Sequence, residues 1–382
     1  MVLFLHNRYR TTGGEERVVE DLVALVREQL GEPAELLTRD SAASGRVGAA
    51  IGLLRGGLEP SEVGDAVRLS GARVVHAHNL HPALGWRALA AARAAGARVV
   101  LHLHQYRLVC AIGVCFTDGA ECTRCHARNT LPGVRRNCRG SLPEAAAYGT
   151  ALALWQRRLC AQADAFIVPS VFARERLREL GAPLPWERVH VLPPPVRVSD
   201  VGGAGGGGAQ ASAPYALIVA RLAPEKGLDV AIEACRIAGM DLVIAGEGPE
   251  RAALQAQGAG DRVRFLGHVS ADALAGLRAG AAIALVPSRS AETFGLAAAE
   301  AMAHGLPVAA SRVGALGEML EPDALVPPGD APALAEAITR LADDRTVGEQ
   351  NRHRIRERCA PEVVAGRLAE IYDGAGREPT NT

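Results

Sequence analysis

A chain of 382 residues is too long for one ordinary hydrophobic core and comfortable for two, and 48% apolar residues can fill both. Aromatic residues make up only 4%, so the cores must rest on Ala, Leu and Val, and base-stacking platforms are scarce. Net charge is zero, which excludes a uniformly basic or acidic surface, yet residues 1–197 carry 25 arginines against 18 acidic residues.

That local excess suits an anionic partner, a peripheral contact with the inner face of a membrane, or simply a solvated arginine-rich face. No run of ~18 apolar residues occurs, so no membrane-spanning helix is expected. The start, MVLFLHNRYR, has no basic segment before its short apolar run and reads as a first strand, not a signal peptide. The expectation is a cytoplasmic protein whose eight cysteines are reduced or metal-bound.

In chain order, residues 2–6 (VLFLH), 73–78 (RVVHAH), 97–104 (ARVVLHLH) and 165–170 (AFIVPS) read as buried strands. Residues 18–30 and 83–95 read as amphipathic helices between them, which predicts a parallel sheet with helices on both faces. His76 and His78 alternate along a strand and so point to one side. With His81 they offer a zinc site as the weaker reading; as the stronger, His78 and Asn79 line a binding cleft.

Residues 110–138 hold five of the eight cysteines. Cys122 and Cys125 form a C-x2-C pair, flanked by Cys110 and Cys138 at 11 and 12 intervening residues. A structural zinc held by Cys110, Cys122, Cys125 and Cys138 is expected, with reduced thiols or disulfides as alternatives. Cys115 leaves the ligand choice open. The insert, residues 105–140, is long for a loop and poor in apolar residues, and needs some such clip. Its arginines suit an anionic or lipid-phosphate acceptor.

Residues 198–214 contain six glycines in the seven positions 202–208 and read as a flexible linker. The α/β alternation then restarts with strands at 215–220, 241–246, 262–267, 281–288 and 307–311. Two Rossmann-like domains, 1–197 and 215–382, are therefore predicted, with ligands outside the carboxyl ends of their strands and in a cleft between them. The last helix is expected to pack back on the N-terminal domain.

The chain has one lysine, Lys226, in the stretch ARLAPEKGLD that begins at Ala220. Pro224 marks a helix start near Glu225, which puts Lys226 in a first turn that disfavours a cation. A bound anion would reverse that penalty, and Arg221 with Lys226 at a strand end suits a diphosphate. In AETFGLAAAEAMAHG, a helix is expected from about Phe294 to His304. Glu292 and Glu300 would then lie roughly 12 Å apart along its axis. The amides of Phe294, Gly295 and Leu296 would face an anion between them.

These pieces resemble the retaining, GT-B-fold glycosyltransferases of family 4, and the resemblance spans nearly the whole chain. It is carried by TGGEERVVEDL (12–22), VVHAHNLHP (74–82), VLHLHQY (100–106), ARLAPEKGLD (220–229), AGEGPE (245–250), FLGHVS (265–270) and AETFGLAAAEAMAHGLPVAAS (291–311). It implies that Arg221 and Lys226 bind the donor diphosphate, Glu292 the donor sugar and Glu300 the ribose. Gly13 and Gly14 would let the first loop approach the donor; Gly246, Gly267, Phe294, Gly295 and Leu296 would complete its site. His104 matches the cleft histidine of such enzymes, with His78, Asn79 and Tyr106 on the acceptor side. SAETFG replaces the commoner EGFG phrasing, and Gln105 stands where Asp often follows the histidine.

The expected activity is retaining transfer from a nucleotide sugar, UDP-linked first and GDP-mannose next, to a glycan, lipid-linked or small-molecule hydroxyl. Arg221, Lys226 and a helix N-terminus would stabilise the leaving group without a catalytic metal. Two other readings stay open. One is a GT-B-fold epimerase or hydrolase of sugar nucleotides. The other, a zinc-bearing nucleic-acid-binding protein, lacks interleaved aromatics and any recognised motif, so no nucleic-acid partner is expected.

Overall fold

The computed structural model describes residues 1–9, 13–41, 45–198, 214–260 and 262–374. The glycine-rich stretch expected to act as a linker lies, but for its end residues, outside them. The chain divides into two units. The first comprises Met1–Thr117, Cys122–Pro195 and the segment from Pro361; the second comprises Asp118–Glu121 and Val196–Ala360. The terminal helix Pro361–Asp373 thus belongs to the first unit.

The first unit holds six parallel strands: β1 (Val2–Arg8), β2 (Ala34–Asp40), β3 (Val74–Ala77), β4 (Arg98–His102), β5 (Ala165–Val168) and β6 (Val189–Val191), in the order β2-β1-β3-β4-β5-β6. Its interior strands read as nearly unbroken Val, Leu, Ile and Ala because helices cover both faces. The order reverses between β1 and β3, so the loops after these strands diverge and leave room for a ligand.

The second unit repeats the plan with β7 (Tyr215–Val219), β8 (Asp241–Ala245), β9 (Val263–Gly267), β10 (Ile283–Val286), β11 (Val308–Ser311) and β12 (Leu325–Val326). Their order is β9-β8-β7-β10-β11-β12, that of a dinucleotide-binding sheet. The reversal falls between β7 and β10. Arg221 follows the first of these strands and Ser288 the second, so topology alone brings two distant stretches of sequence together.

The insert is built of small pieces. Two-residue strands at Phe116–Thr117 and Ala120–Glu121 and a five-residue helix, Leu131–Arg135, precede the 21-residue helix Leu142–Gln162.

Candidate active site

In the second unit, the loops after β7 and β10 are stitched together through their backbones. The amides of Arg289 and Ser290 donate to the Glu225 carbonyl at 2.8 and 3.3 Å. Gly227, at φ +65°, lies so close to the Pro287 carbonyl that a Cβ would sit 2.1 Å from its oxygen. Only glycine permits both the conformation and the approach. The neighbouring loop after β8 is held the same way, because a Cβ on Gly246 would lie 1.9 Å from the Ala220 oxygen. Gly267 adopts φ +72° beside it, and its carbonyl accepts from the Gly246 amide at 2.8 Å.

On this frame Lys226 Nζ donates to Glu292 Oε1 at 2.7 Å, and Ser288 Oγ donates to the same oxygen at 2.6 Å. Burial raises the Glu292 carboxyl, but the Lys226 ammonium and the two hydrogen bonds hold it below its ordinary value. The Glu292 backbone is anchored as well, its carbonyl accepting from the Ala315 amide at 2.9 Å. Arg221 pairs with Glu225, whose side chain is buried while the arginine remains half exposed.

Lys226 does not stand in the first turn of a long helix. It ends a single 3₁₀ turn, Pro224–Lys226, and the helix Leu228–Ala238 starts only after Gly227 has turned the chain through the left-handed region. The expected conflict with that helix's dipole is therefore relieved; the ammonium is placed by its salt bridge to Glu292.

The helix after β10 is also shorter than expected, Leu296–Ala303, capped by Gly295 at φ +93°. Residues 292–295 are not helical, so a helical rise does not measure the separation of Glu292 from Glu300. The Phe294 side chain is part of the unit's hydrophobic core. Glu300 is buried and paired with the buried Arg278, which sequence reasoning missed; its only signal was a lone arginine in an alanine-rich helix.

In the first unit, Gly13 precedes the helix Gly14–Gln29. Its φ of −139° is open to any residue, and a Cβ would meet nothing closer than Glu16 Oε2 at 3.6 Å. The Gly13 amide and the Tyr9 amide both donate to Glu16, at 2.9 and 3.1 Å. Burial raises the Glu16 carboxyl, but these donors and His6 more than offset it and hold it below its ordinary value. Tyr9 donates its hydroxyl to Glu15 at 2.7 Å, and Gln105 donates to the same oxygen at 3.0 Å.

His104 belongs to a stack of imidazoles. Its ring lies 4.1 Å from that of His102 and 5.1 Å from that of His78, and its Nε2 is 2.8 Å from His78 Nδ1. Behind them His76 bridges His102 Nδ1 at 3.3 Å and the Tyr372 hydroxyl at 2.7 Å. Desolvation lowers all four, His76 to about 3, so the stack is neutral at pH 7. For His104, Glu15 and Glu16 oppose that shift. The stack places neutral imidazoles, rather than cations, at the carboxyl ends of β3 and β4.

One acceptor-side expectation meets a buried side chain, and a second residue has a structural role. Tyr106 is 1% exposed and sits in the core among Leu108, Val109 and Cys115. Asn79 is a brace: its amide donates to the carbonyls of Asn7 and His81, and its oxygen accepts from the His81 amide. The imidazole cluster recruits His102 rather than His81. Among the described residues, His76, His78 and His102 are the one group of three or more His, Cys, Asp and Glu whose donor atoms lie within 4.8 Å of one another. Tyr9, Glu15, Glu16 and Arg107, whose guanidinium lies 4.7 Å over the Tyr9 ring, complete this end of the sheet without having been foreseen.

Known proteins agree with this arrangement. Residues 9–195 match the family "Glycosyl transferase 4-like domain" and residues 213–344 match "Glycosyl transferases group 1". A GDP-mannose-dependent alpha-(1-6)-phosphatidylinositol dimannoside mannosyltransferase of Mycobacterium tuberculosis is 42% identical over 159 residues, 40% of this chain and 38% of that one. A glycogen synthase of the same organism is 35% identical over 177 residues, 42% of each. The chain thus matches about two-fifths of the length of these relatives. The fold is that of Anabaena HepE in complex with UDP and glucose, at 19% identity and a TM-score of 0.65 over 98% of this chain and 100% of that one. Two sheets of the GT-B kind, a lysine–glutamate pair at the switch point of the second and family matches over both halves place the chain among the GT-B-fold glycosyltransferases of family 4.

Proposed function

We propose that the protein transfers a sugar from a nucleoside-diphosphate sugar to a hydroxyl acceptor, with retention of anomeric configuration. The observation that carries the reading is Lys226 and Ser288 converging on Glu292 at the β7/β10 switch point, with Arg221 on the adjoining loop. Arg221 and Lys226 take the diphosphate, and Glu292, released from Lys226, accepts from a sugar hydroxyl. Glu300, oriented by Arg278, accepts from the ribose. Gly13 and Gly14 leave space for the donor, and neutral His104 meets the donor sugar or the acceptor.

In the transfer, the bond from the anomeric carbon to the diphosphate oxygen breaks as the acceptor oxygen bonds to the same face. The departing phosphate oxygen takes the hydroxyl proton. Two cations stabilise the charge left on the diphosphate, so no catalytic metal enters the reading. GDP-mannose becomes the first donor candidate, supported by the 42% identical relative, and a UDP-sugar the second. The arginine excess of residues 1–197 favours an anionic or lipid-linked acceptor met at a membrane surface. Among the described residues no helix is long and apolar enough to cross a membrane.

The test is a thermal-shift screen over nucleotides and nucleotide sugars, followed by NMR of the product formed on a panel of lipid-linked and soluble acceptors. A ligand that binds only the native state raises the melting temperature. GDP or UDP ligands should stabilise the protein, and the product should keep the donor's anomeric configuration. Donor consumed at the same rate without acceptor would favour a hydrolase or epimerase, and an inverted product would overturn retention.

A further inference from the structure

Two clusters of metal-ligating side chains lie in the first unit, and their geometries differ. The histidines are stacked: the rings of His76 and His102 lie within 6° of parallel, and those of His76 and His78 within 28°. Ring-nitrogen lone pairs lie in the plane of the imidazole, and here ring nitrogens already face one another, His76 with His102 and His78 with His104. Both nitrogens of His76 are already engaged, with Tyr372 and His102. This cluster is packed for hydrogen bonding.

The cysteines instead surround a space. Cys110, Cys115, Cys122, Cys125 and Cys138 line one pocket of the insert, and none of the eight cysteines is in a disulfide. The Gly113 amide donates to the Cys110 carbonyl at 2.9 Å and the Cys122 amide to the Cys115 carbonyl at 2.7 Å, so tight turns hold these cysteines at the pocket. Gly113 turns at φ +81° to make this arrangement, and a Cβ there would lie 2.5 Å from Gln105 Oε1. The Arg124 guanidinium reaches Cys122 Sγ at 3.7 Å, and Arg136 lines the same pocket. Two guanidiniums suit the double negative charge that four thiolates leave on a divalent ion.

Burial separates the five. Cys115 is 1% exposed and belongs to the core with Tyr106 and Val109, while the other four are half-buried around the pocket. Its thiol is in hydrogen-bond contact with the Cys110 sulfur. The four sulfurs are not among the groups already drawn together closely enough to hold an ion, so binding would require their side chains to turn about χ1.

We propose that Cys110, Cys122, Cys125 and Cys138 hold one structural Zn²⁺ as a closed tetrathiolate, and that Cys115 is a thiol donor to Cys110 and not a ligand. Such an ion would supply the order that two-residue strands and a five-residue helix do not. It would also fix the turn beneath Gln105, since the Cys110 amide donates to the Tyr106 carbonyl and the Tyr106 amide to the Gly113 carbonyl, at 2.8 and 3.0 Å. The proposal stands apart from the donor assignment.

The full chain, purified without chelator, should carry about one zinc. A mercurial should release that zinc as about four thiols react, followed with a chromophoric chelator. Cys125→Ser and Cys138→Ser should lose the metal, while Cys115→Ala and His102→Ala should keep it. Zinc below about a tenth of an equivalent in the wild type, with eight titratable thiols or with disulfides, would overturn the site. Retention of zinc by Cys125→Ser, or its loss from Cys115→Ala, would overturn the ligand assignment. If the serine variants fail to fold, the mercurial titration of the wild type still decides.

Discussion

The carboxyl ends of the two sheets solve different problems with different chemistry. The second unit presents ionised groups in pairs: Lys226 with Glu292, Arg221 with Glu225, Arg278 with Glu300. The first unit presents a stack of neutral imidazoles, with two carboxylates held by tyrosine, glutamine and backbone amides. Paired charges can exchange partners with an incoming anion; neutral rings can accept from or donate to a hydroxyl without drawing one in. One topology thus yields a charged and an uncharged site, and the difference lies in a handful of loop residues rather than in the sheets.

The largest expected effect is the response of the two units to acid. His76, held near 3, and His81, held near 4, are depressed in the fold by burial, and His78 and His102 are also lowered. The unfolded chain protonates its histidines near pH 6.5, while the fold resists until far lower pH. The stability of the neutral stack is therefore complete above about pH 6.5 and is lost as pH falls towards the folded values, by about 1.4 kcal/mol per pH unit for each histidine. In the second unit His304 is lowered, and Glu292, depressed in the fold, contributes stability that is lost only as pH falls from the ordinary carboxylate range through its folded value. Hydrogen exchange read segment by segment from pH 7 to 4 should show β3 and β4 opening well before β7 and β10. Equal opening of the two sheets would break the comparison.

Next in size is the buried pair. Arg278→Ala leaves Glu300 buried without that partner and should destabilise the second unit by about 3–5 kcal/mol. Adding Glu300→Gln to Arg278→Ala should recover part of the loss. Denaturant midpoints of the two variants check this, and a change below about 1 kcal/mol in Arg278→Ala would make the pair an exposed, screened one.

A smaller and more specific effect belongs to the lysine. Lys226→Ala should weaken binding of GDP and UDP by about 1.5–3 kcal/mol, roughly 10- to 150-fold, while His104→Asn leaves nucleotide binding unchanged and lowers transfer. Lys226→Arg should restore little, because a planar guanidinium cannot replace a point charge beside Ser288 and Glu292. Calorimetry of the three variants measures it. If His104→Asn costs as much nucleotide affinity as Lys226→Ala, the two ends do not divide their work by charge.

The fold was legible where signals were strong. Buried strands announced themselves as runs of Val, Leu and Ile, and the restart of the pattern after the glycine-rich stretch announced a second unit. The edge strand Ala34–Asp40 was illegible, because half-exposed residues such as Thr38 and Arg39 break the apolar run. Glu292 and Lys226 could be picked out by spacing and rarity, but not their direct contact, which needs β7 and β10 to be neighbours. Tyr106 misled because an aromatic next to a cleft histidine reads as a ligand contact, and only packing reveals it as core. Arg278 and Glu16 were missed because a buried charge is recognised by its partners, and partners are set by tertiary structure.

The hydrogen bond between Tyr372 and His76 joins residues 296 positions apart within one unit. On a ribosome, the first sheet must therefore wait until the entire second unit has been synthesised before its stack gains this partner. Whatever holds β3 and β4 during that interval is a provisional structure, with imidazoles that later become buried still open to water. The first half emerges first and matures last. Cutting the chain at the glycine-rich stretch would accordingly cost the second unit Val196 and the short segment Asp118–Glu121, and the first unit its terminal helix Pro361–Asp373.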